Sequence, residues 1–94
     1  MNKIIHNYAQ FLDYCIYGKL EEAQNMVFQN IISLSDIDED IFSYTCYFGQ
    51  ITIVKWIYSL NAEKYKRIID SQLIKIIDLK NHQDIIEWIK SITI

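Results

Sequence analysis

The chain has no proline, and only two glycines and two cysteines among its 94 residues. So few chain-turning residues run against an all-β sandwich or barrel, which needs a turn at every strand end. Two cysteines, 15 and 46, do not make a disulfide framework, and in a reducing compartment they read as small buried hydrophobes. With His6 and His82 they exhaust the soft ligand inventory, and no two of the four are close enough in sequence to form a ligand pair. No metal or other cofactor is expected. Positive charge is scarce too: nine Lys plus Arg face twelve Asp plus Glu, for a net charge of −3. The one basic cluster, Lys64-Tyr65-Lys66-Arg67, holds the sole arginine and reads as a solvated face or linker, not a phosphate-binding stripe. No apolar run reaches the roughly 18 residues a bilayer span needs. His6, Asn7, Gln10 and Asp13 break up any signal-peptide core. The expectation is a soluble protein kept inside a cell, binding neither nucleic acid nor membrane.

What is present is bulk and repetition. Apolar residues make up 51% of the chain, isoleucine alone fills 20 positions, and the length allows one small domain over residues 1–94. Phe11, Cys15 and Gly18 recur as Phe42, Cys46 and Gly49, each 31 residues on. Leu20, Ala23 and Met26 recur in kind as Ile51, Val54 and Ile57. Trp56 and Trp88 stand 32 residues apart within similar surroundings, Ile53-Val54-Lys55-Trp56-Ile57 and Ile85-Ile86-Glu87-Trp88-Ile89. Three units follow, approximately 8–37, 38–69 and 70–94.

Each unit reads as two helices, because its apolar residues are spaced by three and four and not by two. The first gives helices over about Tyr8–Tyr17 and Leu20–Asn30, with Gly18 as a left-handed cap between them. The second opens on Asp38-Glu39-Asp40, candidates for capping a helix amino end, and runs through Ile41, Phe42, Thr45 and Cys46 to Gly49. A partner helix then carries Ile53, Val54, Ile57 and Tyr58, ending near Leu60-Asn61. The third has Asp70-Ser71 at its start, helices over about Gln72–Leu79 and Gln83–Ile92, and Asn81 in the glycine position. Ile31–Ile37 and Ala62–Ile69 read as linkers, the second either extending the helix before it or opening the one after. The predicted fold is all-α, a short solenoid of about three helix–turn–helix units in which each unit covers the apolar side of the next.

A period near 33 with two helices and a glycine turn per unit resembles the ankyrin repeat. The stretch Phe42 to Leu60 is similar to the divergent ankyrin repeats encoded by large DNA viruses of amoebae. In those, a small-residue pair, glycine-histidine and a lysine-tryptophan helix follow in order. Here Thr45-Cys46, Gly49-Gln50 and Ile53-Val54-Lys55-Trp56-Ile57-Tyr58 take those places. The common threonine-proline-leucine-histidine opening and the glycine-alanine-aspartate finger are absent. Tyr14 replaces a small residue where helices approach closely. Asp78 falls at an apolar position unless a one-residue shift puts Leu73, Ile76 and Ile77 inside. The resemblance implies a protein-binding module in the cytoplasm of an infected host cell, without catalysis, whose partner is a host or viral protein. It implies a concave binding face on the first helix of each unit, made by Asp13, Ile16, Tyr44, Tyr47, Ile76 and Leu79. Trp56 and Trp88 are expected to pack between units. Ile89, Ile92 and Ile94 leave the carboxyl end apolar, to fold back, to meet another chain in self-association, or to stay poorly covered.

Other chemistry is thin. Both cysteines occupy equivalent core positions, which suits inert thiols better than nucleophiles. The acidic run Asp36–Asp40 lacks the glycine and distal glutamate of a calcium loop and reads as helix capping. Neither glycine belongs to a phosphate-binding loop. The rival functions are a degenerate structural remnant and a small helical nucleic-acid-binding domain.

Overall fold

A computed structural model describes residues 3–93, with side chains described from His6 onward. Among the described residues there are seven α-helices, one 3-10 turn and no strand. The helices are α1 (Lys3–Ile16), α2 (Leu20–Phe28), α3 (Glu39–Tyr47), α4 (Ile51–Leu60), α5 (Ala62–Lys66), α6 (Ser71–Leu79) and α7 (Gln83–Ile92). The isoleucine load does not produce strands, because a three-and-four spacing buries one helical stripe and would split across both faces of a sheet.

The helices pair as three hairpins, α1 with α2, α3 with α4 and α6 with α7. Their first helices pack side by side, α1 on α3 and α3 on α6. The whole measures 39 × 24 × 22 Å.

Local chemistry sets the boundaries. Asp38 accepts the backbone N–H of Ile41 (3.0 Å) and Asp70 that of Leu73 (2.9 Å), so equivalent aspartates cap α3 and α6. Each hairpin turns on a left-handed residue: Gly18 (φ 76°), Gly49 (φ 77°) and Asn81 (φ 62°). α1 begins five residues before the expected Tyr8, and α2 ends at Phe28, two before the expected Asn30, which is itself left-handed (φ 57°). The two linkers are also structured. Leu34–Asp36 forms the 3-10 turn, with Asp36 accepting from the Ser33 backbone N–H (3.1 Å) and hydroxyl (2.8 Å). Residues 62–69 neither extend α4 nor open α6: Asn61 breaks the helix (φ −162°, ψ 81°) and caps a separate α5 through the Lys64 N–H.

The hairpins dock through aromatic pairs and through one repeated side-chain contact at the turns. Phe11 of the first meets Trp56 of the second at 6.2 Å between ring centres, and Tyr58 of the second meets Trp88 of the third at 5.1 Å, edge to face. Both tryptophans thus pack against the preceding hairpin. Gln50 Nε2 donates to the carbonyl of Ile16 (3.0 Å), and His82 Nε2 donates to that of Tyr47 (2.9 Å). A Cβ on Gly18 would lie 2.7 Å from Gln50 Oε1, and one on Gly49 would collide with the His82 ring. Each glycine is therefore required twice, for its positive φ and for the side chain that settles on it.

Candidate functional site

The groups with reactive potential are occupied by the fold. Cys15 and Cys46 are fully buried, and desolvation pushes both thiols up to about 12, so neither supplies a thiolate near neutral pH. His6 is exposed, while His82 is engaged by the Tyr47 carbonyl. In the acidic run, Asp36 and Asp38 serve as caps, and Asp38 also accepts the Tyr8 hydroxyl at 2.8 Å. Burial, then that hydrogen bond and the Asp38 charge, raise the Tyr8 pKa above the usual tyrosine range. Among the described residues no group of three or more His, Cys, Asp or Glu is placed to hold a metal ion. No helix among them is long and apolar enough to cross a membrane.

The basic cluster divides. Lys64 Nζ donates to the Ile37 carbonyl at 2.8 Å, and the buried Tyr65 hydroxyl donates to the same oxygen at 2.5 Å while its ring stacks on Phe42 at 5.1 Å. That half of the supposed solvated linker ties α5 to the chain before α3. Lys66 and Arg67 border an open depression of about 400 Å³ together with Tyr58, Ala62 and Glu63.

The exposed face of the first helices is different. Counting 31 and then 32 residues along the chain, Asp13, Tyr44 and Ile76 are equivalent, as are Ile16, Tyr47 and Leu79. Tyr44, Ile76 and Leu79 are exposed, Leu79 to 74%, and Asp13 is exposed beside a half-buried Ile16. Tyr44, Tyr47 and Ile76 come together with Ser43 and Leu73 around an apolar hollow of about 160 Å³ between α3 and α6. Asp13, Ile16 and Leu79 do not line it. Ile76 belongs to this exposed face, whereas Leu73 and Ile77 are the residues of α6 that go inside.

Sequence reasoning missed three contributors. Tyr17, Phe48 and Lys80 form the next equivalent row; the two aromatics are exposed, and Lys80 Nζ stands 4.7 Å above the Tyr47 ring. The signal was the same 31- and 32-residue offset, carried one residue further. At the carboxyl end Ile89 is buried in the core and Ile92 is half-buried; Ile94 lies outside the described residues. Compared with protein families, curated proteins and solved structures, the chain matches none.

Proposed function

We propose that the chain is a short ankyrin-type stack of three helix hairpins that binds a protein partner through the exposed face of α1, α3 and α6, without catalysis. The observation that carries this reading is the apolar ladder on that face, with Tyr44, Tyr47 and Ile76 gathered at one hollow. Aromatic and aliphatic side chains in this setting are what protein interfaces use as anchors. The ankyrin comparison draws support from the repeated glycine turn, the Gln50 and His82 contacts onto the preceding hairpin, and the polar residues at both ends of the row. Host cytoplasm is the setting that the viral resemblance suggests.

A photo-reactive phenylalanine analogue in place of Tyr44, with a second copy of the experiment at the exposed Lys55 of α4, tests the reading. Irradiation in lysate should give a discrete protein adduct at Tyr44 and none at Lys55, with unchanged circular dichroism. Equal labelling at both places, or none at Tyr44, overturns it.

A further inference from the structure

We propose that the partner presents a basic residue beside an apolar one: the apolar side chain enters the hollow between α3 and α6, and the cation lies over Tyr44 between Asp13 and Asp40. The proposal rests on the protein-binding reading above and adds the chemistry of the ligand. Size gives the anchor: about 160 Å³ is below the roughly 300–1,000 Å³ of small-molecule and cofactor sites, and suits one side chain. The lining gives its polarity, since Tyr44, Tyr47, Leu73 and Ile76 offer rings and methyl groups, with Ser43 as the sole short hydroxyl.

Charge gives the neighbour. Asp13 holds on α1 the place that Tyr44 holds on α3, and Asp40 stands one helical turn before Tyr44 on the same α3 wall. Both carboxylates are exposed, so the exposed Tyr44 ring is flanked by negative charge along its own helix and across on the packed α1. The positions on α1 and α6 equivalent to Asp40 are Ala9 and Gln72, which bring no cation. Behind this row Asp38 accepts the Tyr8 hydroxyl, whose pKa is raised by burial first and then by Asp38, Asp40 and Tyr44. The junction of α1 and α3 is thus electronegative.

The lysines of α6 and its turn do not cancel that field. Lys75 is the equivalent of Ser43, which looks from α3 toward α6, so Lys75 looks from α6 to the outer flank. Lys80 is held 4.7 Å above the Tyr47 ring at the other end of the hollow. Its row and that of Asp40 are eight residues apart, roughly 12 Å of helix. Physiological salt screens exposed charges over roughly 8 Å. A ligand therefore gains most by laying its cation at the Tyr44 end, where two carboxylates and an aromatic ring face it together.

A random peptide library displayed on phage and panned on the folded chain tests the proposal, with affinities of synthetic peptides read by fluorescence anisotropy. The enriched peptides should place Lys or Arg beside Leu, Ile, Phe or Trp. The double change Asp13→Asn, Asp40→Asn should weaken them about tenfold, and panning on Asp13→Lys, Asp40→Lys should enrich Asp and Glu instead. Glu87→Gln, at an exposed position of α7, removes a like charge away from this face and should leave affinity unchanged. Both aspartates are exposed, and the single changes serve if a double variant loses its helical signal. Peptides without basic bias, binding indifferent to the aspartates, or equal weakening by Glu87→Gln overturn the basic assignment and leave the binding face standing. Failure to enrich any peptide also overturns it, and the Tyr44 cross-link then decides whether the face binds protein at all.

Discussion

The middle hairpin and the two outer hairpins share one pattern, yet they differ in which positions are apolar. In α3 both flanks are buried: Ile41 and Thr45 on one side, Phe42 and Cys46 on the other. In α1 the equivalents of Phe42 and Cys46, Phe11 and Cys15, are buried, while those of Ile41 and Thr45 are the exposed Gln10 and the half-buried Tyr14. In α6 the reverse holds: Leu73 and Ile77 are buried, but Ile74 is only half-buried and Asp78 exposed. Among the described residues an outer hairpin has one neighbour, and its other flank meets water. Tyr14 and Asp78 are both found on those outer flanks. The turns obey the same rule. Gly18 and Gly49 lie beneath a side chain of the next hairpin, whereas Asn81 needs only a left-handed φ and tolerates its Cβ.

The comparison can be broken most severely with alkali. Burial holds Cys15 and Cys46 protonated up to about 12 against an ordinary 9.0. The unfolded chain loses these protons near pH 9 and the fold retains them. Above pH 9 the unfolded state therefore binds fewer protons, and stability falls as pH rises. Each thiol contributes up to about 1.4 kcal/mol per pH unit within that window. Tyr65, pushed up to about 12 by burial and then by Glu39 and Asp38, acts in the same direction. Urea midpoints should drop steadily between pH 9 and 12, and a Cys15→Ala, Cys46→Ala variant should show a shallower fall. A midpoint independent of pH there would mean the thiols are not enclosed.

Truncation separates middle from end next. Phe42→Ala should cost about 3–5 kcal/mol and Ile74→Ala, at the equivalent outer position, about 1 kcal/mol, both by urea unfolding. Equal costs would abolish the distinction between inner and outer flanks. At the turns, Gly49→Ala should cost about 2 kcal/mol or more, from the left-handed backbone and the displaced His82, while Asn81→Gly should stay within about 0.5 kcal/mol. The smallest contrast lies one residue beyond each turn. Gln50→Ala removes a hydrogen bond between hairpins and should cost about 1 kcal/mol, whereas Lys19→Ala, at the exposed equivalent position, should cost under about 0.5 kcal/mol.

Much of the fold was legible in the residues. The aspartate caps, the three left-handed turns, α4 and α7 were all marked by short-range chemistry, and the three-and-four spacing overrode the β-branched composition. α5 was not legible as a separate helix. Its anchor is the Ile37 carbonyl, which accepts from Lys64 and Tyr65 across 27 and 28 residues, a distance at which sequence pattern is silent. The candidate face was partly legible. The repeat offset placed Tyr44, Tyr47 and Ile76 on one side, but the hollow among them depends on how α6 packs on α3.

Local forces, acting within a few residues, determined from the sequence alone that this chain makes helices, where α3 and α6 are capped and where the hairpins turn back. Steric limits on φ, capping of free N–H groups and the helical repeat of apolar side chains need no distant partner. The tertiary structure decided which flank of each hairpin is sealed, which lysines remain in solvent and where a cavity is left, because burial is a property of neighbours and not of residues.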